Sequence, residues 1–322
     1  MNFQTLQKVE TPDTYLDIAF RRAKEHAAKA KEAKRHGGLE KLKAAEIGKI
    51  DVIRAVLVDK FMHLLKSFPS VDHLDPFYRQ LVRITLDYPQ LKKSLGAMNW
   101  ATKQFQTRFR MYQQKIARAA SASDISAHAR AFYGRIASVL KQIKEELAYL
   151  EEARKVMKGY PTIKTSIPTA VIYGFPNIGK TTLLFKLTGS KPDIKPYAFT
   201  TQNLNVSYLI REDGKKIQLI DTPGSLNRRD KMNSIEQQAE LALHYLADTI
   251  VFVVDPTEAS SPLELQEKLL EKVKKTKKEV LVYVAKADVA EKSLAQGLAK
   301  KYGALELNAL KERLSKLTMP SC

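Results

Sequence analysis

The stretch VIYGFPNIGKTTLL, Val171 to Leu184, decides the fold. Within it, Gly174 to Thr181 fits the pattern G-x-x-x-x-G-K-[ST]. Ala170 to Tyr173 is a short apolar run that reads as a buried strand, and after Lys180 the leucines and Phe185 recur with helical spacing. Strand, glycine loop and helix in that order give the pattern its meaning. Gly174 lets the chain leave the strand sharply. Gly179 lets backbone N–H groups approach an anion with no Cβ in the way. Those N–H groups form an anion nest, helped by the positive end of the following helix. Phosphates are the expected occupant. Lys180 reaches the β- and γ-phosphates and the Thr181 hydroxyl ligates Mg²⁺. Phe175, Pro176, Asn177, Ile178 and Thr182 complete the phosphate-binding segment.

Working outward, the chain has 322 residues, enough for two domains with separate cores. At 44% hydrophobic and 28% charged it reads as globular. No apolar run approaches the ~20 residues of a membrane span, so no membrane role is expected. MNFQTLQKVETPD at the start has no apolar core and is no secretory signal. The one cysteine is Cys322, which argues against disulfides, zinc clusters and cysteine catalysis and for a reducing compartment. The net charge is +19, of which +13 falls in residues 1–160. Such an excess suits a polyanionic partner, nucleic acid before membrane, although a solvated lysine-rich surface has the same composition.

Residues 1–160 read as a bundle of about five helices with no catalytic constellation. A basic helix over 13–36 ends at Gly37-Gly38. A second, Leu39 to Lys66, carries a full apolar stripe including Ile50, Ile53, Leu57, Phe61 and Leu64. Asp75 caps a short helix from Pro76 to Asp87, which Tyr88-Pro89 breaks. From Tyr88 to Ser123 there is no Asp or Glu. That segment carries Lys92, Lys93, Lys103, Arg108, Arg110, Lys115 and Arg118, with Trp100, Phe105, Phe109 and Tyr112 between them. The basic residues suit a phosphate backbone, while the aromatics read as bundle core. A long helix from Ser123 to Lys158 follows, then a linker from Gly159 to Pro168.

Beyond Pro168 strands alternate with helices, the mark of an α/β domain over 161–322. Strands are expected near Leu204 to Ile210, Ile217 to Ile220, Thr249 to Val254, Val280 to Val284 and Ala304 to Leu307, with a hairpin at Asp213-Gly214. The second of these ends at Asp221-Thr222-Pro223-Gly224, about 40 residues after the P-loop, the place of a Mg²⁺-binding Asp and a γ-phosphate-sensing Gly. Thr201, or alternatively Thr200, sits where a switch threonine would complete the Mg²⁺ shell. The order and spacing are those of a small GTPase-type domain: a mostly parallel sheet with helices on both faces.

GFPNIGKTT, PYAFTT and DTPG resemble the Obg-related GTPases. FPSVDHLDPFYRQLVRITLDYPQLKKSLGAMNWA and LAYLEEARKVMKGYPTI resemble the N-terminal domain of the NOG family, the nucleolar GTP-binding proteins. The resemblance runs from about Leu16 to Leu310 and implies a GTPase that binds GTP/GDP and Mg²⁺. It further implies a role in assembly of the large ribosomal subunit, with large-subunit rRNA and the pre-ribosomal particle as partners. A monomer is expected, cytoplasmic in a prokaryotic-type member and nucleolar in a eukaryotic one. By the same resemblance Lys180, Thr201 and Gly224 carry catalysis, Thr181, Thr201 and Asp221 hold the metal, and Asp221 to Gly224 line the phosphates. Ala285, Lys286 and Asp288 with Asn308, Ala309 and Leu310 frame the base.

Three departures matter. Ala285 stands where the family has an asparagine that holds the base and braces the P-loop, so guanine binding is expected to weaken by about tenfold to a hundredfold. Asp288 remains, so guanine specificity is expected to persist. Asn308-Ala309 replaces the family Ser-Ala pair, and Ser225 rather than glutamine follows Gly224, so intrinsic hydrolysis should be slow. The short remainder after Leu310 fits a short prokaryote-type member or a truncated chain. The alternative reading is an RNA-binding helical module on a degenerate GTPase scaffold with little turnover.

Overall fold

A computed structural model describes residues 3–32, 38–189, 204–222 and 234–318. By its internal contacts the chain divides into two compact units. One unit comprises residues 4–70 and 86–158. The other takes residues 1–3, 71–85 and everything from 159 onward.

The first unit is a bundle of α1 (Pro12–Glu32), α2 (Leu39–Ser67), α4 (Tyr88–Arg118), α5 (Ala122–Gln142) and α6 (Lys144–Lys158). Its core is the stripe of α2 set against Leu91, Met98, Phe105 and Ile116 of α4 and Phe132, Ile136 and Leu140 of α5. Phe61 meets the Tyr15 and Phe105 rings edge-on, centroids 5.1 and 5.3 Å apart. Asp87 caps α4 by accepting the Gln90 N–H at 3.0 Å, so Pro89 opens this helix where its missing N–H costs nothing. The single helix expected from Ser123 to Lys158 is two. Ile143, at φ −104° and ψ 18°, interrupts it while staying buried, so the apolar stripe runs on unbroken across the joint.

The excursion through α3 (Pro76–Thr85) belongs with the sheet. Its Phe77, Tyr78, Leu81 and Val82 are buried, and α3 packs on α8 (Ser234–Tyr245). The Tyr78 hydroxyl donates to the Pro161 carbonyl at 2.7 Å and accepts from the Ile163 N–H at 2.9 Å. Burial pushes its pKa up to about 12. Tyr78→Phe would leave two buried backbone groups unpartnered. It is expected to cost about 2–4 kcal/mol, read as a lower denaturation midpoint at unchanged slope.

The sheet has five strands in the order β2-β3-β1-β4-β5. They are β1 (Thr169–Tyr173), β2 (Asn205–Ile210), β3 (Lys216–Asp221), β4 (Thr249–Val254) and β5 (Glu279–Val284). Only β2, the hairpin partner of β3, runs antiparallel. Gly214 at φ 77° makes the expected hairpin turn. Every residue of β1 and β4 is buried, as in a parallel sheet covered on both faces. The covering helices include α7 (Lys180–Thr188) on β1 to β3, α8 on β1, and α9 (Leu263–Lys274), α10 (Lys292–Tyr302) and α11 (Leu307–Ser315) on β5. Lys278 ties this layer to the sheet by donating to the carbonyls of Leu243, His244 and Ala247 at the end of α8. The strand expected at Ala304 to Leu307 is not formed. One bond, Leu305 N–H to the Val282 carbonyl at 2.9 Å, touches β5 before α11 begins. No described helix is long and apolar enough to cross a membrane.

Candidate functional site

Parallel register places the carboxyl ends of β1, β3 and β4 side by side, with Ile172 opposite Asp221 and Tyr173 opposite Phe252. The chain steps from β1 to β3 on one side and to β4 on the other. This is the topological switch point at which open α/β sheets bind ligands.

The loop after β1 is shaped by left-handed backbone. Gly174 sits at φ 151°, Asn177 at φ 57° and Gly179 at φ 106°. A Cβ on Gly174 would stand 3.0 Å from the Val253 carbonyl oxygen, so that position is closed to any side chain. The turn delivers Lys180 to the first position of α7, where its stem is buried. Its ammonium donates back to the Phe175 carbonyl at 2.7 Å and the Gly174 carbonyl at 3.2 Å. Burial lowers the Lys180 pKa to about 8, against the pull of Asp221. A desolvated cation at the first turn of a helix is arranged for an anion.

Asp221, at the end of β3, is almost fully buried. Its Oδ2 accepts from the Thr181 hydroxyl at 2.5 Å and from the Asn205 amide at 3.1 Å. Its Oδ1 is buried with no hydrogen-bond partner. Burial raises its pKa, opposed by Thr181, Lys180 and Asn205. An orphaned carboxylate oxygen beside a threonine hydroxyl is a hard oxygen pair that fits Mg²⁺. That ion takes one or two protein oxygens and completes its shell with phosphates and water, so it needs no cluster of acidic side chains. Among the described residues there is none. Thr222 is bound to β1 instead, donating from its hydroxyl to the Ile172 carbonyl at 2.8 Å. Phe175 and Ile178 are buried walls, while Asn177 and Thr182 are exposed. Thr200, Thr201, Pro223, Gly224 and Ser225 lie outside the described residues.

The expected base-binding loop follows β5. Ala285 is buried, and a Cβ on Gly179 would stand 3.4 Å from the Ala285 Cβ. The first position of this loop therefore looks straight at the phosphate loop. Lys286, at φ 52°, pairs with Asp255 at the end of β4, Nζ to Oδ2 2.6 Å. Asp255 is wholly buried and also accepts from Thr257 and Ser260. Burial alone would raise its pKa, but Lys286 and these donors outweigh that and hold it low. Asp288 is exposed. Asn308 and Ala309 occupy the first turn of α11 and are exposed, while Leu310 is fully buried, so its side chain serves the core.

Two site residues escaped the sequence reading, Asn205 and Asp255. Asp255 had a visible signal, an acidic residue directly after an apolar strand, as at Asp221. Asn205 had none. Of the basic residues expected to meet RNA, all lie on α4. Lys92, Lys93, Lys103, Arg110, Lys115 and Arg118 are exposed. Arg108 is half-buried, with its Nε hidden and unpartnered. Phe105 and Tyr112 are core as expected. Phe109 is half-buried beneath the Arg54 guanidinium at 4.9 Å, and Trp100 remains outside.

Helical bundle, phosphate loop and five-stranded sheet together define a P-loop GTPase with an N-terminal helical domain. Residues 3–164 match the family described as the NOG1 N-terminal helical domain, and residues 169–286 match the 50S ribosome-binding GTPase family. An uncharacterized protein of Methanocaldococcus jannaschii is 36% identical over 90% of this chain and 81% of its own length. Nucleolar GTP-binding protein 1 of Kluyveromyces lactis is 32% identical over 78% of this chain and 40% of its own. That of Saccharomyces cerevisiae is likewise 32% identical, with 39% of its length covered. The chain thus spans about two-fifths of these yeast relatives. Among solved structures, Era of Aquifex aeolicus bound to GDP and AlF4⁻ overlaps 48% of this chain and 58% of its own at 26% identity, with a TM-score of 0.38. The chain belongs to the NOG1 family of GTP-binding proteins.

Proposed function

We propose that this protein is a Mg²⁺-dependent GTPase that serves as a nucleotide-dependent assembly factor for the large ribosomal subunit, with its helical bundle turned toward rRNA. The observation that carries the reading is the trio at the carboxyl ends of β1 and β3: buried Lys180, and Thr181 against the half-satisfied Asp221 carboxylate. The family's GTP-binding name and the basic bundle support it.

Lys180 draws charge from the γ-phosphate, and the loop N–H groups orient the triphosphate. Thr181 and Asp221 would hold Mg²⁺, which when bound would supply Lewis-acid neutralisation of the triphosphate's charge. Thr201 (or Thr200) and the Gly224 N–H sense the γ-phosphate, so its loss releases both loops. Asp288 selects guanine by accepting from its two N–H donors. Ser225 offers no glutamine-like handle on the attacking water, so turnover by the protein alone is slow. The site of action is the place where large subunits are built, the cytoplasm of a prokaryote or the nucleolus of a eukaryote.

Titration with GTP, GDP and ATP, with and without Mg²⁺, tests this. GTP and GDP should bind and ATP should not, and removing Mg²⁺ should weaken GTP. Turnover should rise when large-subunit particles are added. Failure to bind any nucleotide at millimolar concentration would overturn the proposal and leave an RNA-binding bundle on a GTPase-like scaffold.

A further inference from the structure

Helix α4 has two unlike sides. Leu91, Met98, Phe105, Tyr112 and Ile116 are buried in the bundle. At 100° per residue, Trp100, Lys103, Arg110 and Arg118 fall within an arc of about 80° on the opposite side. All four are exposed, Trp100 by 39%. None of the three cations forms an ion pair among the described residues. No acidic residue occurs anywhere from Tyr88 to Ser123. The Trp100 side chain is thus left about two-fifths exposed at the head of a cationic row, on a helix whose other aromatics mostly serve the core.

The dimensions narrow the partner. Lys103 lies one turn beyond Trp100, Arg110 about 10 Å further and Arg118 about 12 Å beyond that, at 1.5 Å rise per residue. A row of roughly 27 Å is too long for a single phosphate or one nucleotide and suits an extended polyanion. An exposed indole among cations offers a flat face for stacking, which an acidic peptide cannot use and a nucleobase can. Bases inside an A-form duplex are stacked and inaccessible.

We propose that this face of α4 binds single-stranded RNA, with Lys103, Arg110 and Arg118 on phosphates spaced along one strand and one unpaired base stacked on Trp100. The proposal rests on the rRNA-directed reading above and adds the form of RNA that is held.

Trp100 is the only tryptophan in the chain, so its fluorescence reports this face alone. Titrating the full-length protein with a short oligoadenylate should quench that emission, whereas a blunt RNA duplex should bind without quenching. Trp100→Ala should weaken oligoadenylate binding by about five- to a hundredfold, followed by anisotropy of labelled RNA, and leave its salt dependence unchanged. Trp100→Phe should retain most of the affinity, which separates lost stacking from lost packing. The double change Lys103→Glu and Arg110→Glu should weaken binding and flatten its salt dependence. Oligoadenylate binding without quenching, and unaffected by Trp100→Ala, would overturn the stacking proposal while leaving the rRNA reading intact. Failure to bind any RNA would overturn both. Equal quenching by polyglutamate would assign the face to an acidic protein and overturn the proposal.

Discussion

Lys180→Met is expected to weaken GTP binding by at least about a hundredfold and, in the nucleotide-free protein, to raise stability by about 1–2 kcal/mol. Both effects come from one fact. The ammonium is buried against the Gly174 and Phe175 carbonyls, with its pKa lowered to about 8 from 10.5 by desolvation. Between those two values the unfolded chain binds the extra proton and the folded one does not. Stability of the empty wild-type protein should therefore rise as pH climbs from about 8 to 10.5, with the full penalty present below 8. Thermal denaturation across that range should show the rise in wild type and not in Lys180→Met. Methionine forfeits the two carbonyl contacts, which is why the gain is smaller than the cost of the buried charge. Equal GTP affinity in the two proteins would sink the assigned role of Lys180. A flat wild-type profile would sink the account of a desolvated cation.

Ala285→Asn is expected to raise GDP affinity by about tenfold to a hundredfold, with ATP still excluded. The position is buried, and a Cβ on Gly179 would meet the Ala285 Cβ at 3.4 Å, so an amide at 285 is placed to reach the phosphate loop. Asp288 is untouched, so discrimination between guanine and adenine should not change. Lys286 is already fixed by Asp255, so the loop carrying the new amide is anchored. Calorimetric titration of the two proteins with GDP gives the answer. An unchanged affinity would overturn the expectation that Ala285 weakens guanine binding.

Features set by local chemistry were legible in the sequence. The phosphate loop announces itself because Gly174, Gly179, Lys180 and Thr181 must sit at fixed offsets for backbone and side chains to converge. The β1 and β4 strands were readable because buried parallel strands are short unbroken apolar runs. What periodicity could not say is which surface an apolar face meets. The stripe of α3 marks a buried side whether its partner is α2 or α8, so the excursion of residues 71–85 into the sheet unit left no trace. Ile143 breaks a helix without breaking the spacing from Ile136 to Leu147, so two helices looked like one. Leu305 makes a single bond to β5 and falls between strand and loop. The switch threonine and Gly224 lie outside the described residues, and their roles rest on spacing.

The α3 excursion also has a consequence in time. Synthesis runs from the N-terminus, so Phe77 emerges roughly 160 residues before the α8 against which α3 packs. At about 5–20 residues per second, that leaves an apolar helix face without its partner for about 8–30 s on each new chain. The bundle's last helix ends at Lys158, so the first unit can close while α3 still waits on a tether held at both ends. Phe77 and Leu81 are therefore the side chains for which transient cover during synthesis would matter most, and a GTPase fragment cut at residue 161 would keep α8 while losing the helix that packs on it.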